Sequence, residues 1–280
     1  MQNVDLYKSL ADGAYQGAPG AYSEEAAQLL LGRDARLMPC ATLEQAFEAI
    51  TDGRVTHAVV PVENAVSGTV PQVYELLLAN DLIVAGETSI NIDHVLVAPH
   101  GTSRNAVTRV MSHPIALAQC ADFFRSNRGI EAVSVFDTAG AVRMAVEAND
   151  GRTAAIASRR AAALYDAAII AEHIQDRREN WTRFLLLASA AHATPAHEPQ
   201  KVLVAFGLKH EPGSLVHALQ PIADAKLSIT KIEGRPAGHA FEYHFVVEMV
   251  GPDGGAIPGA AIERLRAATT WLKVLGAFRL

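Results

Sequence analysis

The sequence predicts an α/β protein followed by a smaller block of order β-α-β-β-α-β. Three observations carry that expectation. Short β-like runs alternate with amphipathic stretches from residue 23 to residue 187. A small, polar, proline-bearing segment, SAAHATPAHEPQ at 189–200, then reads as a linker. Residues 201–280 finally repeat strand and helix signals in the split βαβ, ferredoxin-like order. At 280 residues, half of them hydrophobic and 19% charged, the chain is long enough for two domains with real cores.

In the first block the strands are expected at 36–39, 57–61, 94–98, 109–112, 132–136, 154–157 and 184–187. Ser23, Glu24 and Glu25 supply a cap and an acidic first turn for a helix whose apolar face is Ala26, Ala27, Leu30 and Leu31. Ser112 and Pro114 open another helix, with Leu117, Cys120, Ala121 and Phe124 inward. Asp137 or Thr138 caps a third, with Val142, Ala145 and Val146 inward. Such alternation implies a mostly parallel sheet, whose ligands sit at strand carboxyl ends against helix N-termini. In the second block, strands are expected at 201–209, 227–233, 241–250 and 271–278. Helices are expected at 213–226, with Leu215, Leu219 and Ile222 on one face, and at 258–269.

Composition excludes several classes. A formal charge of −6 without a basic block makes a nucleic-acid partner unexpected. Cys40 and Cys120 lie in apolar surroundings without a C-x-x-C pattern and read as buried free thiols. The opening MQNVDLYKSLADG lacks the apolar core of a signal peptide, and no apolar run approaches the roughly 20 residues of a membrane helix. A soluble, cytoplasmic protein without a membrane partner is therefore expected. His192 and His197 lack metal-ligand spacing, no G-x-S-x-G or Walker loop occurs, and Gly17-Ala18-Pro19-Gly20 is not a dinucleotide fingerprint. No metal and no nucleotide is expected.

Five segments place polar groups beside a strand end or helix start. In GAPGAYSEEAA, Gly20 and Ser23 suit an anion seat or an ordinary capped loop. In PVENAVSGTV, Glu63, Asn64, Ser67, Gly68 and Thr69 crowd one turn, as a ligand site or a self-capped turn. In SHPIALAQC, Ser112, His113 and Gln119 face a cleft, or His113 is a structural hydrogen-bonder. In FDTAGAV, Asp137 and Thr138 cap a helix or reach a ligand. In ENWTRFLLLA, Asn180, Thr182 and Arg183 precede an apolar strand, at whose edge a hydroxyl and a guanidinium are costly unless partnered. Arg183 suits bidentate carboxylate binding, or pairs with an internal acid such as Asp176 while Thr182 merely caps.

Taken together, these segments resemble prephenate dehydratase over nearly the whole chain. The family pattern GxPGAYSxxAA, P-[IV]-E-N-S-x-x-G, SHPQALAQC, DTA and N-x-TRF is met, in order, by GAPGAYSEEAA, PVENAVSG, SHPIALAQC, DTAGA and NWTRF. Ile115 stands for the usual Gln and Ala65 for the usual Ser. The C-terminal block resembles an ACT regulatory domain: HEPGSLVHAL is similar to HxPGALxxxL and KIEGRP to KIESRP, with Ser214, Ser228 and Gly234 as departures.

The resemblance implies a catalytic region, residues 1–190, of two lobes like a periplasmic solute-binding protein, a linker at 191–200 and an ACT domain at 201–280. It implies conversion of prephenate to phenylpyruvate with loss of water and carbon dioxide, chemistry that requires no redox cofactor or metal. Thr182 is then the group at the leaving hydroxyl. Arg183 holds a carboxylate or orders the site through Glu63, and Phe184 packs against the ring. Asn64, Ser23 and the Gly20 and Gly68 backbones give further donors. L-Phenylalanine is expected between paired ACT domains near Pro212, Gly213, Ser214, Leu215, Ser228, Glu233, Gly234, Arg235 and Pro236, in a homodimer or homotetramer. Arogenate dehydratase and a non-catalytic aromatic amino acid sensor are the alternatives.

Overall fold

The structure, a computed structural model, describes residues 11–191, 193, 196–236 and 243–280. Part of the expected linker, and the first two residues of the strand expected at 241–250, lie outside the described residues. The chain runs β1 (Ala11–Gln16), α1 (Tyr22–Leu31), β2 (Leu37–Cys40), α2 (Leu43–Thr51), β3 (Val55–Asn64), β4 (Gly68–Thr69), α3 (Pro71–Ala79) and β5 (Leu82–Asn91). It continues with β6 (Val95–Ala98), β7 (Arg109–Ser112), α4 (Pro114–Ala118), α5 (Ala121–Ser126), β8 (Glu131–Ser134), α6 (Thr138–Ala148), β9 (Thr153–Ala157), α7 (Arg159–Leu164), β10 (Ala168–Ala171) and β11 (Trp181–Ser189). The C-terminal block adds β12 (Lys201–Gly207), α8 (Ser214–Asp224), β13 (Ser228–Pro236), β14 (Tyr243–Val250), α9 (Gly259–Ala267) and β15 (Trp271–Phe278). Among the described residues, no helix is long and apolar enough to cross a membrane.

The chain divides into two compact units, one of residues 11–71 with Thr88–Phe184, the other of Gln72–Glu87 with Leu185–Leu280. The first unit has two lobes. In one, β1 lies parallel to both β2 and β3, and β3 turns back onto β4 with Asn64 opposite Gly68. The other is a five-stranded sheet of order β10-β6-β9-β7-β8. There β7 is parallel to β8 and β9, but β6 is antiparallel to β9 and β10 antiparallel to β6. The mostly parallel expectation therefore needs correction at β6 alone: it runs against β7, β8 and β9, whereas β10, antiparallel to β6, runs in the same direction as those three.

Alternation along these strands gives the second lobe two covered faces. Val95 and Val97 of β6 pack with Ala139, Val142 and Ala145 of α6. Leu96 and Ala98 pack with Ala116, Cys120 and Phe123 on the other side. Residues of β9 are buried throughout, as suits a strand covered on both faces. The single helix expected after Pro114 is two, α4 and α5, interrupted at Gln119 and Cys120. The Asp176 carboxylate accepts from the backbone amides of Ala121 and Asp122 at 3.1 and 2.9 Å, which satisfies the start of α5. Cys40 and Cys120 are buried free thiols, and burial pushes Cys120 up to about 12.

In the second unit, β13-β14-β12-β15 form the antiparallel sheet expected for a split βαβ unit. Val202, Val204, Phe206, Val247 and Met249 pack beneath Ala218 and Ile222 of α8 and Leu265 of α9. The unit also includes a piece of chain from far upstream. β5 pairs in parallel with β15 at Val84 and Gly276, where a Cβ on residue 276 would lie 2.6 Å from the Val84 carbonyl oxygen. Lys273 Nζ donates to the carbonyls of Leu77, Leu78 and Asn80 and so caps the C-terminus of α3. Lys201 Nζ pairs with Glu87 at 2.8 Å and Glu248 at 3.2 Å, and Tyr74 donates its hydroxyl to Glu248 at 2.9 Å. Arg235 pairs with Glu75.

Candidate active site

The site begins with the backbone of one turn. After β3 the chain bends so that the amides of Val66 and Ser67 both donate to Asn64 Oδ1, at 2.9 and 2.8 Å. This is an Asx-type turn, and it fixes which end of the Asn64 amide is oxygen. Asn64 Nδ2 therefore faces the other way and donates to Thr182 Oγ1 at 2.9 Å and Asn180 Oδ1 at 2.7 Å. Gln119, at the break between α4 and α5, donates from Nε2 to Asn64 Oδ1 at 3.3 Å and Ser67 Oγ at 3.0 Å. Asn180 Nδ2 donates to Gln119 Oε1 at 3.1 Å. Segments 52 to 118 residues apart in sequence thus meet in one neutral cluster.

Asn180 is buried, Thr182 half-buried and Ser67 exposed, so the cluster runs from the interior to the surface. A pocket of about 390 Å³ opens there, lined by Ser67, Ile115, Gln119, Asp176, Arg177 and Asn180 among others. Beside Thr182 on β11, Arg183 Nη2 donates to Glu63 Oε2 at 2.9 Å. Of the roles open to Arg183, the pairing with Glu63 is the one observed; Asp176 instead caps α5. Phe184 is buried, on the same strand face as Thr182 but deeper.

Other expected residues fall differently. Ser23 is not the cap of α1; that place belongs to Ala21, and Ser23 is buried in the first turn. The Gly20 amide is already committed, donating to Glu24 Oε2 at 2.8 Å, so the helix start holds the chain's own carboxylate rather than an open anion seat. Gly20 has φ +92° and packs against Ala161, leaving no room for a side chain. Ser112 is fully buried and donates to the Ile156 carbonyl at 2.7 Å. His113 caps α4, its Nδ1 accepting from the Ile115 amide at 3.2 Å, and burial pushes its pKa down. Asp137 caps α6 through the Gly140 amide at 2.7 Å, and Thr138 is the helix's first residue. Gly68, exposed with φ +86°, forms the tip beyond Ser67.

Sequence reasoning left Arg177 and His94 out of the site and named Asn180 without giving it a role. Asn180 stands first in the N-x-T-R-F motif, which was its available signal. His94 had none: it lies between β5 and β6, is 2% exposed, and its Nε2 sits 3.1 Å from Gln119 Oε1.

A model of the prephenate dehydratase family matches residues 14–192, a span that holds every member of this cluster. The chain belongs to the prephenate dehydratase family. It is 36% identical over 293 aligned positions to arogenate dehydratase/prephenate dehydratase 2 of Arabidopsis thaliana, a chloroplastic protein, covering 99% of this chain and 76% of that one. A solved structure described as prephenate dehydratase in complex with L-Phe from Arthrobacter aurescens superposes with a TM-score of 0.83 at 26% identity, over 95% of this chain and 90% of that one. Another, described as GqqA, a novel type of quorum quenching acylases, gives 0.84 at 29% identity over 95% and 97%. Membership of the prephenate dehydratase family makes this chain a dehydratase, a carbon–oxygen lyase of aromatic amino acid biosynthesis.

Proposed function

We propose that this dehydratase converts prephenate to phenylpyruvate with the Thr182 cluster as its active centre. The observation that carries the reading is the hydrogen bond from Asn64 Nδ2 to Thr182 Oγ1. A threonine hydroxyl that already accepts has its single hydrogen left to donate. In the reaction, the bond from the ring carbon to its carboxylate breaks and its electron pair enters the ring. The ring carbon–oxygen bond breaks in turn, and hydroxide leaves as water after gaining a proton. Thr182 donates to that departing oxygen and relays or stabilises the proton, a contribution of roughly 10²–10⁴ in rate. Aromatisation drives the rest.

Two carboxylates must also be held. Arg177 lines the pocket and supplies a cation there, while Arg183 with Glu63 orders the edge of β11. Ser67 and the Gly68 backbone offer donors at the turn. Phe184 keeps the floor of the site apolar, which strengthens the polar contacts above it. Arogenate carries the same leaving hydroxyl, and relatives are named for either substrate or both. An acylase reading is less well supported, because acyl transfer needs a nucleophile beside a base. Here the hydroxyls of Thr182 and Ser67 face the amides of Asn64 and Gln119, which are not bases.

The second unit is read as an ACT domain that binds L-phenylalanine. A pocket of about 500 Å³ lined by Leu208, Glu211, Ser214, Leu215, His244 and Trp271 supports this, next to Pro212 and Gly213 and the start of α8. Of the β13 residues expected near the effector, Glu233 pairs with Lys231 and Arg235 with Glu75, alongside Ser228, Gly234 and Pro236. Inhibition then means different effector affinities in two cleft states. Pairing through this block gives a dimer or tetramer, and the enzyme is placed in the cytoplasm. The test is one assay of the purified chain on prephenate and on arogenate, each with and without L-phenylalanine. Phenylpyruvate from prephenate at the higher kcat/KM, reduced by the effector, is expected. Turnover of neither substrate would remove the Thr182 reading.

A further inference from the structure

The hydrogen-bond roles in the cluster can be worked out from a fixed point. The amides of Val66 and Ser67 can only donate, so the atom of Asn64 that faces them is its oxygen. Asn64 Nδ2 also faces the Trp181 carbonyl at 3.3 Å, which can only accept and so agrees. The Gln119 atom facing Asn64 Oδ1 must then be nitrogen, and the Asn180 atom facing Asn64 Nδ2 must be oxygen. Gln119 consequently turns its oxygen to Asn180 Nδ2 and to His94 Nε2. An oxygen cannot donate, so His94 Nε2 carries the hydrogen.

Each group in this sequence donates to the next: His94 Nε2–H to Gln119 Oε1, Gln119 Nε2 to Asn64 Oδ1, and Asn64 Nδ2 to Thr182 Oγ1. The other His94 nitrogen is left as a weak acceptor. Tyr22, whose hydroxyl lies 3.4 Å from Nδ1, gives its hydrogen to the Asp93 carbonyl at 2.7 Å. Burial keeps the imidazole neutral, its pKa held below the ordinary histidine value.

We infer that His94 is a positioning residue of the dehydration: its Nε2–H holds the Gln119 amide in the orientation that the Asn64 turn dictates, and so steadies the donor chain that ends at the Thr182 hydroxyl. Reversal of the Gln119 amide would set its NH2 group against the His94 N–H and the Asn180 NH2, and its oxygen against Asn64 Oδ1. Polarisation along a chain aligned in one sense also strengthens its last donor. The His94 ring reaches the pocket lining through Gln119, while the His94 backbone amide, which donates to Gln175 Oε1 at 3.0 Å, is retained when the ring is replaced.

The inference rests on the dehydratase reading, and the experiment separates the two. Turnover is measured on prephenate and arogenate for the wild type, His94→Leu, His94→Gln and His94→Asn. His94→Leu is repeated in a Gln119→Ala background, with thermal unfolding followed throughout. A wild type inactive on both substrates defeats the functional reading itself. With an active wild type, His94→Leu lowers kcat about tenfold with KM little changed, the scale of one buried hydrogen bond lost. His94→Gln, whose amide nitrogen replaces Nε2, recovers most of the rate, and His94→Asn does not reach far enough to do so. In the Gln119→Ala background the His94→Leu step adds nothing further. Equal rates for the Gln and Asn variants, or full additivity with Gln119→Ala, overturn the inference. Where His94→Leu does not fold, the Gln-against-Asn comparison decides by itself.

Discussion

The cluster around Thr182 is built from neutral amides, hydroxyls and one neutral imidazole, whereas the cluster around Lys201 gathers one lysine, two carboxylates and a tyrosine hydroxyl. The two obey different physics. An amide has a donor end and an acceptor end, so a row of amides has a direction and delivers a hydrogen at a chosen atom. A buried ion group has strength without direction; its members hold one another because each is costly alone. The first arrangement suits chemistry and the second suits fastening. In this chain the fastening ties β12 and β14 to Tyr74 and Glu87, which lie far upstream in sequence.

That contrast is open to direct attack. The largest effect is expected at the ionic cluster. Lys201→Met leaves Glu87 and Glu248 without their cation and lowers unfolding free energy by about 3–5 kcal/mol in urea titration, while kcat of the folded fraction stays at the wild-type value. Adding Glu87→Gln and Glu248→Gln restores most of that stability. A fall in kcat for the folded Lys201→Met protein would erase the division of labour. Next comes Thr182→Ala, for which kcat drops by about 10² or more while the urea midpoint hardly moves. Thr182→Ser, which keeps the hydroxyl, retains much of the rate. Near-normal turnover in the alanine variant would make the directed chain irrelevant.

The smallest effect is a slope. His94 is held neutral by burial below its ordinary value of 6.5. Above that pH it is neutral folded or unfolded and costs nothing; below it, the unfolded chain takes up the proton more readily, so stability falls as pH drops. The folded protein should therefore lose melting temperature between about pH 7.5 and about pH 5.5, and His94→Gln should lose less. Equal slopes in the two proteins would place the acid sensitivity elsewhere, at His113 or His244, which are shifted in the same direction.

Much of this was written locally in the sequence. The apolar runs behind β6, β7, β9, β11, β12 and β15 and the cap at Asp137 depend on neighbours a few residues away. So does the split βαβ order. The strands that pattern reading passed over are the ones whose stability comes from a distance. β1 carries Asp12 and Gly13, poor strand formers, at its second and third positions. It holds because the Arg36 amide and guanidinium both reach the Asp12 carboxylate, and because Gly13 leaves space filled by Leu31. β5 carries Gly86, Glu87 and Thr88 mid-strand, and β10 has only four residues.

The site shows the same limit. Thr182, Asn64 and Gln119 stood out as residue types in motifs, but their partners are tertiary facts. Arg183 faces Glu63 across 120 residues, and Gly20 gives its amide to Glu24 rather than to a ligand. His94 sits in no motif, because its role is defined by one nitrogen and one distant amide.

The placement of α3 and the first half of β5 has one more consequence. The block that starts at residue 201 is not a module that a cut in the linker would release cleanly. A chain ended there would lose the lysine that closes α3, the strand edge beside Val84 and the acceptor for Tyr74. Tyr74, Leu77 and Val84, all fully buried in the intact chain, would then face water as an apolar strip, and such a fragment would be sticky before it was active.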